Sequence, residues 1–131
     1  MNKKRRRIGI LIVTIDKYYQ KDLWKGMESY AKKHDIDLMF FCGSPFEAPQ
    51  WDVSHYNSIY NLINTSELDG LIITTSSLGN YIGKDRLEKY ICRYYNIPTV
   101  SISFDYPDYQ IVQIDNEASV MEMMNHLVLQ H

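Results

Sequence analysis

Residues 7–15 read RIGILIVTI, and this short continuous apolar run decides the class of fold. A strand covered by helices on both faces has no exposed face, so its sequence shows no alternation of polar and apolar residues. Comparable runs follow at residues 36–43 (IDLMFFCG), 68–75 (LDGLIITT), 97–103 (IPTVSIS) and, shorter, 110–114 (QIVQI). The sequence therefore predicts five buried strands.

The segments between these runs carry apolar residues at helical spacing. They are Leu23, Met27, Tyr30, Ala31 and His34, then Tyr56, Ile59, Tyr60 and Ile63, then Leu87, Tyr90, Ile91 and Tyr94, and last Val120, Met121, Met124 and Val128. Strands separated by helices imply right-handed crossovers. We predict one α/β domain over residues 8–131, with a doubly wound, mostly parallel five-stranded sheet and helices on both faces.

Charge is unevenly distributed along the chain. Residues 1–7, MNKKRRR, hold five of the fourteen basic residues, which leaves nine basic against sixteen acidic residues and a net charge of −7 for the remainder. An acidic body is a poor surface for phosphates, so we expect no direct DNA binding by this segment. Residues 1–7 are predicted to be a basic disordered tail, with contact to nucleic acid or an anionic membrane as the alternative.

The sequence does not support a membrane protein, a secreted disulfide-rich protein or an enzyme with a known nucleotide or hydrolase motif. No apolar run approaches the length of a membrane span, and no cleavable signal follows the basic start. Two cysteines are too few for a disulfide framework. We therefore expect a cytoplasmic chain without membrane contact. No GxGxxG, P-loop or GxSxG motif is present, and the histidines are scattered. We predict no enzymatic activity, no catalytic residues, no metal and no cofactor.

The loops that follow the strands hold the candidate ligand-binding residues, because ligands of open parallel sheets bind beyond the carboxyl ends of the strands. These candidates are Tyr18 and Tyr19 after the first run, Thr75 and Ser76 after the third, Phe104 and Asp105 after the fourth, and Asp115 and Asn116 after the fifth. Aromatic rings together with hydroxyls and carboxylates suit a neutral polyhydroxylated or heterocyclic ligand.

Each pair of candidates also has a structural interpretation. One of the two tyrosines can pack the first helix on the sheet, and the hydroxyl residues after the third run can cap a helix or shape a turn. Asp105 can open a turn ahead of Pro107. Asp115 and Asn116 are good helix N-caps, and we favour that role for them, with ligand contact second.

Taken together, these segments resemble the effector-binding region of the lactose-repressor (LacI/GalR) family. The matching features are IGILIV followed by Tyr18 and Tyr19, Gly26 in the first helix, Asp69-Gly70 before the third strand, Pro98 to Val100, and Val112, Asp115 and Asn116 ahead of His126-Leu127. The resemblance spans about residues 7–131 and implies the first lobe of a type I periplasmic-binding-protein-like fold. The chain departs from the family in reading DKYY where NPFF is common, and only seven residues precede Ile8, too few for a DNA-reading module.

The resemblance implies a lobe that senses a sugar- or nucleoside-like effector in a transcriptional regulator. The family clamps its ligand between two lobes and the chain matches one of them, so we expect half of a clamp, with the second lobe absent, and a homodimer in the complete protein. The same sensor lobe also occurs ahead of a cyclase or kinase output. A receiver-like phosphoryl-transfer domain is a further alternative, which would gather Asp16, Asp105 and Asp115 around a metal.

Overall fold

The chain folds around a parallel five-stranded sheet. The structure is a computed structural model that describes residues 4–49 and 53–130, without the side chains of Tyr18, Val53 and Ser54. The strands are β1 (Arg6–Ile12), β2 (Ile36–Cys42), β3 (Gly70–Ile73), β4 (Thr99–Ile102) and β5 (Gln110–Val112). All neighbouring strands are parallel, and their order is β2-β1-β3-β4-β5. The predicted doubly wound α/β fold is confirmed.

Helices connect the strands as the apolar spacing predicts. They are α1 (Tyr18–His34), α2 (Thr75–Leu78), α3 (Gly83–Ile91) and α4 (Asn116–Gln130), with 3₁₀ helices at Val53–Leu62, Thr65–Glu67 and Cys92–Tyr94. Helix α1 ends where Asp35 adopts a left-handed conformation, φ 55°, and donates its N–H to Ala31 O. The second predicted helix forms as the 3₁₀ helix at Val53–Leu62. Helix α2 lies in a segment that the sequence predicts as a loop.

The two faces of the sheet are covered differently. On one face, Leu11, Leu71 and Ile73 join a buried cluster with residues of the 3₁₀ helix and α3. The neighbouring positions Ile10 and Ile12 point to the opposite face and are fully buried there. Helix α1 packs on that face, where the Trp24 ring meets the Phe40 ring of β2 at 6.5 Å between centroids. Helices thus lie on both faces.

The basic segment at the start of the chain joins the sheet earlier than the sequence predicts. Strand β1 begins at Arg6, two residues before the predicted boundary at Ile8. The Arg5 guanidinium lies 2.8 Å from the Asp35 carboxylate and 3.2 Å from that of Asp37. The predicted disorder is therefore wrong for residues 6 and 7, because backbone pairing with β2 extends to Arg6. Residues 1–3 of the predicted tail lie outside the described residues.

Four buried tyrosines belong to the core. Tyr60 donates its hydroxyl to Ser44 O at 3.3 Å, and the other three donate likewise to backbone carbonyls: Tyr94 to Tyr60 O, Tyr106 to Lys84 O, and Tyr109 to Ile91 O. Burial raises the pKa of all four hydroxyls, which keeps them protonated as donors. Four of the eleven tyrosines therefore have a structural role in the core.

The close approach of Tyr60 to Gly43 gives a test of this packing. A Cβ on Gly43 would lie 2.5 Å from the Tyr60 ring, which is buried and cannot move aside. We expect Gly43→Ala to lower the free energy of unfolding by about 1–3 kcal/mol. Gly26→Ala is the matched control, since Gly26 lies in α1 with nothing within 4 Å of its added Cβ, and it should gain about 0.5–1 kcal/mol. Urea unfolding measures both, and a Gly43→Ala protein as stable as the parent would contradict the packing.

Candidate functional site

The carboxyl edge of the sheet holds the candidate site. Because the strands are parallel, the loops after β1, β3, β4 and β5 all meet at this edge. After β1 the chain moves to one side of the sheet to form β2, and after β3 it moves to the other side to form β4. Ligands of doubly wound sheets bind where the direction of winding changes, which here is between β1 and β3.

A buried hydrogen bond bridges this point. Gln20, in the first turn of α1, is only 6% exposed, and its side-chain amide donates to the Ser77 hydroxyl on α2. The amide oxygen of Gln20 is buried and has no hydrogen-bond partner among the described residues. A buried acceptor left unpaired costs about 1–3 kcal/mol, so this polar residue is held in an unfavourable position next to the candidate site.

A pocket of about 320 Å³ opens at the same edge but away from this point, between the start of α1 and the ends of β4 and β5. Its lining residues are Tyr19, Leu23, Ile102, Ser103, Val112, Gln113, Ile114 and Asn116. The Tyr19 ring is 47% exposed and forms one wall. The pocket therefore combines one aromatic face with hydroxyl and amide groups. Two predicted residues, Tyr19 and Asn116, meet in it.

Ser103 shapes the floor of this pocket through a backbone conformation that glycine usually adopts. Its φ is 92°, and its N–H donates to Val112 O at 2.9 Å, which joins the ends of β4 and β5. Its hydroxyl accepts a hydrogen bond from the Ser76 hydroxyl at 3.1 Å. Ser76, a predicted ligand contact, thus supports the pocket from the next loop.

The Thr75 hydroxyl makes hydrogen bonds to the backbone inside the protein. It is fully buried, and its hydroxyl donates to Ile102 O at 2.6 Å and accepts from the Phe104 N–H at 3.0 Å. The predicted ligand contact at Thr75 does not fit this position, because the hydroxyl faces backbone and not solvent. Phe104 is half-buried and packs against the core cluster, so its predicted role in ligand binding is not favoured either.

The remaining predicted residues have mixed positions. Asp115 is exposed, and its carboxylate accepts from the Ala118 N–H at 2.9 Å, which confirms the favoured interpretation as a helix cap. Asp105 is exposed in the loop after β4 and does not line the pocket. The side chain of Tyr18 lies outside the described residues.

Sequence reasoning missed Gln20 and Ser103. Gln20 precedes Leu23 by three residues and Met27 by seven, so it lies on the apolar face of α1. A polar residue on a buried face is a detectable signal. Ser103 carries no comparable local signal, because its conformation depends on the pairing of β4 with β5.

Asp16, Asp105 and Asp115, which follow the strands, do not form a metal-binding cluster. The Thr14 hydroxyl donates to the Asp16 carboxylate, and this hydrogen bond lowers the pKa of an aspartate that is fully exposed. Within residues 4–49 and 53–130, no group of three or more His, Cys, Asp or Glu side chains is arranged to hold a metal ion. Over the same residues, no helix has both the length and the apolar character needed to cross a membrane.

Comparison of the sequence with protein-family models and with curated protein sequences finds no match.

The Thr75 hydroxyl gives the second test. Thr75→Val keeps the volume and removes the hydroxyl, which leaves the Phe104 N–H and Ile102 O without this partner. We expect the free energy of unfolding to fall by about 1–3 kcal/mol. Thr75→Ser retains the hydroxyl and should recover most of that loss in the same thermal or urea unfolding measurement. Equal stability of the Val and Ser proteins would show that these hydrogen bonds are not important.

Proposed function

We propose that the chain is a sensing lobe for a sugar- or nucleoside-like small molecule, as in regulators of the LacI/GalR type. The observation that carries this proposal is the pocket that Tyr19, Ser103 and Asn116 line together at the carboxyl edge of the sheet. The resemblance of residues 7–131 to that family points the same way, and it includes Tyr19 and Asn116 of the pocket.

The chemistry of the pocket suits an uncharged ligand. The described residues that line it carry no formal charge, so nothing there favours a phosphate or a carboxylate. The exposed face of Tyr19 can stack on a base or on the apolar face of a sugar. The amides of Gln113 and Asn116 can donate and accept hydrogen bonds, which matches the hydroxyls of such ligands.

The pocket covers a ligand from one side only. Small-molecule sites usually bury most of the ligand surface, and an edge pocket of about 320 Å³ with a half-exposed wall does not do so. In the proposed function a second lobe covers the other side, and closure of the two lobes changes the state of an attached output domain. Affinity for this lobe alone should therefore be weak.

Titration of the isotope-labelled chain with D-ribose, D-glucose and adenosine, followed by NMR, tests the proposal. We expect millimolar binding of at least one compound, with shift changes concentrated at Tyr19, Ser103 and Asn116. Tyr19→Ala should weaken binding about fivefold or more, since a stacking ring contributes about 1–3 kcal/mol.

Tyr56→Ala is the matched control, because Tyr56 is also exposed but lies on the 3₁₀ helix at Val53–Leu62. It should leave binding unchanged. Shift changes confined to other surfaces, or no change with any of the three compounds, would contradict the proposed site. Micromolar binding would instead show that one lobe suffices and that the half-clamp is wrong.

A further inference from the structure

The sheet face that carries α1 is only partly covered. A groove of about 670 Å³ runs beside α1, with Ile8, Ile72 and Val100 of three adjacent strands as its floor. Met27 and Tyr30 of α1 form its wall. The floor residues are only half-buried, whereas Leu71 and Ile73 on the opposite face are fully buried.

The dimensions of the groove fit one more helix. A helix about 10 Å wide covers two strands that lie roughly 4.8 Å apart. Helix α1 contacts β2 and shields Ile10 and Ile12 of β1, whereas Ile72 of β3 and Val100 of β4 remain partly open on this face. Parallel sheets are normally buried on both faces, which makes this open half a binding surface for an apolar partner.

Helix α4 presents a matching surface. All residues from 116 to 130 are exposed. Its apolar side chains recur at helical spacing and form one stripe, made of Val120, Met121, Met124, Leu127 and Val128, each at least 50% exposed. The helix has 15 residues, about 22 Å, which is the length of the seven-residue β1 alongside the groove.

Local hydrogen bonds order the junction that precedes α4. Asp115 caps it through the Ala118 N–H, the Ser119 hydroxyl donates to Asp115 O at 2.8 Å, and the Asn116 N–H donates to Ile114 O at 2.9 Å. In this conformation both the stripe and the groove of the same chain are exposed. Two copies can cover both surfaces at once, since each offers a helix and a groove.

We propose that the groove binds α4 of a second copy of this chain, so that two copies exchange their α4 helices about a two-fold axis. Such a contact is self-complementary and closes without leaving a free groove. Each stripe side chain buries on the order of 100 Å². The two stripes together bury about 1,000 Å² and the two grooves bury a similar area, so the total exceeds the roughly 1,000 Å² that a specific interface needs. The inference is independent of the proposed ligand.

The mass of the full chain in solution tests the exchange. Light scattering at micromolar concentration should give twice the 15.5 kDa of one chain. Met124→Glu places a carboxylate at the centre of the stripe and should weaken the dimer at least about a hundredfold. Leu129→Glu is the matched control, because Leu129 is also exposed but points roughly 140° away from Met124 around the helix, and it should stay dimeric.

A second pair of variants tests the groove. Tyr30→Glu should give a monomer, since Tyr30 lines the groove, whereas Tyr56→Glu changes an equally exposed tyrosine elsewhere and should stay dimeric. Both positions are exposed, so circular dichroism should show an intact fold. A monomeric parent protein would overturn the proposal, because α4 would then remain free or fold back on its own chain. A dimer that survives both Met124→Glu and Tyr30→Glu would overturn it as well.

Discussion

Every connection in this chain must return the backbone from the carboxyl edge of the sheet to its amino edge, because all five strands are parallel. That constraint gathers the loops after the strands at one edge. After β1 and after β3 the chain leaves toward opposite sides of the sheet, so the two loops diverge. The hydrogen bond between Gln20 and Ser77 connects the two segments. Internal hydrogen bonds thus fix the loop backbones, and Tyr19 and Asn116 are left facing the pocket.

The fold could be predicted from sequence because the strands are short continuous apolar runs and the segments between most of them have helical spacing. Four of the five strands lie within a predicted apolar run, and β1 begins one residue before its run. The type of the second helix could not be predicted, since Ile59, Tyr60 and Ile63 have a spacing that suits an α-helix and a 3₁₀ helix alike. Helix α2 has four residues, too few for any periodic pattern to indicate it.

The site was less predictable, because the function of a loop residue depends on partners far away in the chain. Thr75 and Ser76 are adjacent hydroxyl residues after the same strand, yet Thr75 bonds to the backbone of the β4 loop and Ser76 bonds to the side chain of Ser103. Nothing in the local sequence distinguishes them. The eleven tyrosines are equally hard to assign from sequence. Tyr60 lies in the core and Tyr19 lies at the pocket, and only the packing around each residue distinguishes them.

The spacing of apolar residues in α4 predicts a helix correctly but does not say what that helix packs against. In the structure the stripe is exposed, and the groove beside α1 is an apolar surface that is also open. Asn116 connects the two regions, since it begins α4 and also lines the pocket. Any shift of α4 relative to β5 therefore moves a wall of the pocket. In the two proposals, ligand binding and helix exchange share this residue, and by thermodynamic linkage any factor by which helix exchange changes ligand affinity equals the factor by which the ligand changes dimer affinity.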